Sequence, residues 1–268
     1  GQRKPGETAE SFSNRLAQEL EDLIESEPVG SVAAFFAEPV SFSAGFKIPP
    51  DSYFPAITKV LRGHDIQFAV DEVITGFGRT GAMFGCDTFS LSPDYVTIGK
   101  GITSGYFPLS AIAIGAELYK DLELGSDNAG TLAHASTFAA HPVGAAAALA
   151  VLEIIERDNL IEHARGMGEK LSAGLQDFID HPIVGDVRCL GHAGSLDFLC
   201  RDDADSPVNN EASANETAYK VYQSLLNEGV VSRPAGRSIV LAPPLIVQES
   251  EINEICRRLG RALDAAST

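Results

Sequence analysis

Two short, β-rich apolar runs end abruptly in ionisable residues, and this constrains the fold more than any other feature of the chain. Phe68-Ala69-Val70 runs into Asp71-Glu72-Val73, and Tyr95-Val96-Thr97-Ile98 runs into Gly99-Lys100-Gly101. Residues 32–36 and 109–114 form similar apolar runs. Runs this short, separated by longer connections, predict buried strands of a largely parallel sheet. The stretch from Asp71 to Tyr95 is long enough for a crossover between two of them. In an open α/β sheet, ligands sit beyond the carboxyl ends of the strands. Asp71 and Lys100 fall at such ends.

Elsewhere the spacing is helical. Over residues 8–24, Phe12, Leu16, Leu20 and Leu23 share one face behind Thr8, a residue type suited to the N-cap. Pro142 suits the first turn of an Ala-rich helix over residues 143–156, and more helix follows through Leu171 and Leu175. Residues 184–190 and 195–199 read as strands, residues 202–215 as a polar loop, and residues 250–263 as a last helix with Ile252, Ile255 and Leu259 on one side. The texture changes after the Ala-rich helix, which predicts a larger domain over residues 1–159 and a smaller α+β domain over residues 160–268. At 268 residues and 44% hydrophobic, the chain can bury such cores.

Charge and cysteine usage exclude several classes. The 37 acids outnumber 20 Lys plus Arg for a net charge of −17, and no basic run offsets them, which argues against a nucleic-acid or membrane-surface partner. No apolar run reaches the length of a membrane span. Gly1-Gln2-Arg3-Lys4-Pro5 leads into a polar amphipathic stretch rather than a secretory signal. Cys86, Cys189, Cys200 and Cys256 form no CxxC pair, and the histidines are scattered, with His134 and His141 seven apart. Neither a disulfide framework nor a metal site is expected, and a cytoplasmic location is.

Side chains two apart on a strand share a face, so Asp71 and Val73 would offer a charge and a flat apolar contact to one side. The plainer alternative is an Asp that starts a turn. Lys100 sits between two glycines, which give the close backbone approach and the room that a lysine bonding to a carbonyl group needs. Partial burial and nearby positive charge can also lower a lysine's pKa and make it a usable base. Its alternative is a solvated lysine. Gly76-Phe77-Gly78-Arg79-Thr80-Gly81 matches GxGxxG, but a dinucleotide fingerprint also needs a helix starting within it. Residues 82–93 contain Gly85, Asp87 and two serines with no helical apolar stripe, and the required acid would be Asp94, in a pre-strand turn. The nicotinamide reading is therefore set aside.

Taken together, three segments resemble the class III (ω-amino acid type) aminotransferases. They are Asp71-Glu72-Val73-Ile74-Thr75-Gly76-Phe77-Gly78-Arg79-Thr80-Gly81, then Pro93-Asp94 through Lys100-Gly101, then Gly105-Tyr106-Phe107-Pro108-Leu109-Ser110-Ala111. The likeness extends from Ala37-Glu38-Pro39-Val40 to the stretch around Arg233 and covers essentially the whole chain. It implies an α/β protein of pyridoxal 5'-phosphate (PLP) fold type I, with a mostly parallel sheet in the large domain and a smaller C-terminal α+β domain. It implies transamination from an amine or ω-amino acid to a keto acid such as pyruvate.

Residue by residue, the resemblance implies that Lys100 holds the cofactor and moves a proton, and that Asp71 pairs with the pyridine nitrogen. Val73 would pack on the ring. Thr137 would bind the phosphate of the neighbouring subunit's cofactor in a homodimer, its alternative being a cap for the Pro142 helix. Arg233 would grip a substrate carboxylate, its alternative being a surface residue in a turn. Glu38 would border the active site. Two departures stand out. Where the family continues Glu-Pro-Val with a Gly-rich stretch, this chain has Ser41-Phe42-Ser43-Ala44-Gly45-Phe46. The family also carries a substantial segment before the position of Gly1, with a phosphate-cradling loop and an aromatic residue that stacks on the ring. A catalytically incomplete PLP-fold fragment, and another PLP reaction such as an aminomutase or a decarboxylase, are the alternatives.

Overall fold

In the computed structural model, which describes residues 3–130, 136–199 and 211–267, β1 (Ala34–Ala37), β2 (Gln67–Asp71) and β3 (Tyr95–Ile98) run parallel. β4 (Ala111–Ile114) adds to β3 in the antiparallel sense, giving the order β1-β2-β3-β4. The mostly parallel sheet expected from the short apolar runs is present. Asp94 fixes its entry side: its backbone N–H donates to the Phe68 carbonyl (2.8 Å) and its carboxylate accepts from the Phe68 N–H (2.7 Å). That bonding gives this acid a structural role in place of the ribose contact a dinucleotide fold would need.

One face of the sheet is packed by α1 (Ala9–Ser26) and α2 (Tyr53–Gly63). Thr8 caps α1 as its position predicts, accepting from the Ser11 N–H at 3.1 Å. Ala17, Phe54, Ile57, Val60 and Leu61 close over Phe68 and Val70 to form the first core. α2 is not among the elements expected from the sequence, although its buried residues recur at helical spacing. The run at residues 109–114 is expected to be a buried strand. β4 is instead exposed at all four positions, because no described element covers either of its faces. Ile112 and Ile114 are 54% and 39% exposed. The crossover between β2 and β3 carries only the short α3 (Gly85–Phe89), and α4 (Ala116–Ala129) and α5 (Pro142–Arg157) follow β4.

The chain divides into two compact units. The first comprises Gly1–Pro39, Pro49–Thr75 and Cys86–Glu153, and the second Val40–Ile48, Gly76–Gly85 and Ile154–Thr268. Compared with the expected cut between residues 159 and 160, the division falls within α5, and two early segments join the second unit.

The second unit has an antiparallel sheet in the order β5-β6-β8-β7, from β5 (Val184–Leu190), β6 (Ala193–Phe198), β7 (Arg233–Ala235) and β8 (Ser238–Leu241). Its helices α6 (Leu160–Gln176), α7 (Glu211–Asn227) and α8 (Glu249–Ser267) bring Leu171, Leu175, Leu225, Ile252, Leu259 and Leu263 to full burial. Each such side chain contributes about 1.5–3 kcal/mol relative to exposure. The polar loop expected over residues 202–215 lies outside the described residues as far as residue 210, as do Cys200 and His134. Residues 211–215 are helical instead, because Ala214, Ala218, Val221 and Leu225 make a buried stripe in which small residues pack.

A buried carboxylate holds the early segment Val40–Ile48 within this unit. Asp197, 2% exposed, accepts from Arg188, from Ser238 Oγ (2.5 Å) and from Arg237 Nε (3.2 Å), and Lys47 Nζ lies 3.5 Å away. Arg188 in turn donates to the carbonyls of Gly45 (2.8 Å) and Phe46 (3.1 Å). Gly45 has φ +92, and a Cβ there would lie 2.6 Å from Ser238 Oγ, so only glycine fits. Burial raises the Asp197 pKa, but the hydrogen bonds from Arg188 and Ser238 and the charges of Arg188 and Lys47 outweigh it and hold the carboxyl at about 2. The unfolded carboxyl titrates at about 3.9. The stabilisation is therefore present in full above about pH 4 and is lost as pH falls through about 2. Asp197→Asn is expected to cost about 3 kcal/mol in urea unfolding at pH 7. The gap from wild type should shrink steadily as the titration is carried below pH 4.

Candidate functional site

The parallel register brings three strand ends to one edge of the first sheet. Ala37 of β1 pairs with Val70, and Asp71 pairs with Thr97 of β3. Glu38 therefore follows directly after β1, Asp71 closes β2, and Lys100 comes two residues after β3. Asp71 is half-buried, and its Oδ1 accepts from the Val73 N–H at 2.9 Å. Its other oxygen makes no hydrogen bond among the described residues. Val73 packs on Gly99: a Cβ built at Gly99 would lie 3.5 and 3.6 Å from the two Val73 methyl carbons. The apolar side chain beside the acid thus faces the residue that precedes the lysine.

Lys100 opens a single 3-10 turn, Lys100–Thr103, with φ +35. A non-glycine residue in this region costs on the order of 1–3 kcal/mol and persists only where its surroundings fix it. Here they do. Ile102 N–H donates to the Gly99 carbonyl (3.0 Å), Ile102 and Thr103 are buried, and Thr103 Oγ1 donates to the Phe107 carbonyl at 2.6 Å. Lys100 itself is exposed, and its amine pairs with no described residue. A rigid turn thus carries a free amine.

Between Asp71 and Val73, Glu72 is fully buried, and sequence reasoning passes over it. Its Oε2 accepts from Thr75 Oγ1, and its Oε1 accepts from the Cys86 N–H at 2.5 Å. The Cys86 thiol also hydrogen-bonds to it; burial first, and this carboxylate second, push that thiol's pKa up. A sequence signal exists in the alternation itself, since an acid between two outward residues of a strand end points inward.

Thr137 is exposed in the turn before α5. The capping role that was its alternative falls to His141, whose Nδ1 accepts from the Val143 N–H at 3.2 Å. Arg233 begins β7, paired with Val240, and is exposed on a strand of the second unit rather than in a turn. The GxGxxG segment starts no helix. Gly78 and Gly81 take φ +98 and +81, and Arg79 donates to the carbonyls of His192 (2.8 Å) and Pro243 (2.7 Å). Burial lowers the Arg79 pKa to about 10. Its hydrogen bonds and tight turns make this segment a structural clamp within the second unit.

A carboxylate with one oxygen to spare, an apolar side chain and a free lysine at neighbouring strand ends suit a flat, nitrogen-containing carbonyl cofactor. Comparison with known proteins agrees. The family model for class-III aminotransferases matches residues 3–263. The chain is 42% identical over 262 residues to an uncharacterized aminotransferase of Sinorhizobium fredii, covering 97% of this chain and 56% of that protein. It is 39% identical over 262 residues to gamma aminobutyrate transaminase 3, chloroplastic, of Solanum lycopersicum, covering 97% and 49%. The omega transaminase of Pseudomonas jessenii, solved in complex with PMP, superposes with a TM-score of 0.92 at 39% identity, covering 98% of this chain and 57% of that one. The chain thus spans about half the length of the curated relatives it matches.

Thr103→Val would leave the Phe107 carbonyl short of its donor under the Lys100 turn. Urea unfolding of the cofactor-free protein should show a loss of about 1–3 kcal/mol.

Proposed function

The chain belongs to the class-III aminotransferases, a PLP-dependent family of fold type I, and on that premise we propose that the protein moves an amino group from an amine or ω-amino acid to a keto acid such as pyruvate. The observation that best supports this reading is that a carboxylate oxygen on Asp71 and the amine of Lys100, both uncommitted among the described residues, lie at the carboxyl ends of adjacent parallel strands. The donor set fits the cofactor: one acid for a ring nitrogen, one amine for an aldehyde, and Val73 as a flat contact between them. When bound, PLP supplies the electron sink for the bond changes at the donor's carbon.

The side chains do the rest. Asp71 would hold a proton on the ring nitrogen through its spare oxygen, while the Val73 N–H keeps the other oxygen in place. Lys100 Nζ would hold the cofactor's aldehyde and would serve as the general base and acid that moves the donor's proton. Arg233 offers a planar fork of donors to a substrate carboxylate. Glu38 would border the substrate. Thr137, with its capping alternative taken by His141, would bind the phosphate of a partner subunit's cofactor, which makes the working unit a homodimer. No described helix is long and apolar enough to cross a membrane. Cys86, Cys189 and Cys256 are free thiols, which suits the cytoplasmic location we propose.

Titration of the purified protein with PLP should produce a visible absorbance band that is missing from Lys100→Ala. Turnover should require a keto acid: product formed from an amine donor at equal rate with and without pyruvate would overturn transamination in favour of another PLP reaction. Arg233→Gln is expected to raise the KM for the keto acid about tenfold or more, the size of a lost charge-assisted pair, with kcat little changed.

A further inference from the structure

Glu72 is a carboxylate with no exposed surface, set between two residues proposed to touch the cofactor. Burying a charge costs several kcal/mol unless donors replace the lost water, and a well-packed apolar side chain often serves stability as well or better. What a carboxylate adds over an apolar residue is direction, because each oxygen fixes its donors in space. Glu72 fixes donors from two places. Thr75 Oγ1 closes the turn that follows Asp71, and the N–H and thiol of Cys86 belong to the first turn of α3. Its own N–H donates to the Thr97 carbonyl at 2.9 Å, so the same residue is tied to β3, the strand that leads to Lys100.

Thr75 and Cys86 are also the points at which the chain leaves the first unit and returns to it. Glu72 therefore closes the neck of the Gly76–Gly85 excursion at the level of Asp71 and Val73. We infer that Glu72 is a positioning residue: it holds the turn that aims the Asp71 carboxylate and the Val73 side chain, acting through backbone geometry without touching cofactor or substrate. This rests on the functional reading above.

The test compares wild type with Glu72→Gln, which keeps size and shape but puts an NH2 donor where a carboxylate oxygen accepts from Thr75 or Cys86. Thr75→Val, which removes a single donor, serves as a milder second variant should Glu72→Gln fail to fold. In the cofactor-free protein, hydrogen exchange at the Val73 amide should quicken in either variant, since its bond to Asp71 loosens. With PLP added, affinity should fall about tenfold, the scale seen when outer-shell partners of metal ligands are lost. The pH at which the bound ring loses its proton should move down, because a misaimed Asp71 holds that proton less well. A variant that only melts earlier, with unchanged Val73 exchange, PLP affinity and spectral pH profile, overturns the inference and leaves Glu72 a purely structural residue. A wild-type protein that forms no lysine-dependent band overturns the functional reading, and this inference with it.

Discussion

Everything at the candidate site depends on three strands running parallel and ending together. The ladder from β1 through β2 to β3 sets Glu38, Asp71 and Lys100 at one edge of a sheet. Asp71 keeps an oxygen uncommitted and Lys100 keeps its amine uncommitted among the described residues, because the positioning is done upstream by the strand ladder, the Val73–Gly99 contact and the buried Thr103. The strained φ at Lys100 fits that division of labour, since a fixed backbone lets the reactive group remain mobile.

The two buried carboxylates work by different physics. Asp197 is held by guanidinium groups and an ammonium, so its contribution is electrostatic and follows its protonation. Glu72 accepts from a hydroxyl, an amide and a thiol, and its contribution lies in the angles it imposes on them.

What is legible in the sequence is what lies at element boundaries. Asp71 and Lys100 stand out because an ionisable residue directly after an apolar β-rich run marks the point where a buried strand meets water or a ligand, and Thr8 announces the start of α1 by its chemistry. The want of a helix is enough to rule GxGxxG out as a dinucleotide site, but its positive work has no local sign: Arg79 finds its acceptors 113 and 164 residues away. Glu72 looks like one more acid in composition, and only its place between two outward-facing residues of a strand end hints at its burial. The start of α7 is hidden because alanines carry part of its buried stripe, and alanine marks core and surface alike. β4 has the composition of an interior strand, and its own residues give no sign of its exposure.

The composition of the second unit bears on how the chain is made. Its early loop ends in carbonyls that Arg188 captures across 142 and 143 residues of sequence. A polypeptide is synthesised from its N-terminus, so Gly45 and Phe46 emerge into water long before β5 exists. They stay hydrated until a strand from the far half of the chain arrives, which makes closure of this unit a late, long-range event in folding. It also means that no single cut frees a C-terminal module with its buried network intact: Ile154–Thr268 needs both Val40–Ile48 and Gly76–Gly85 to be whole.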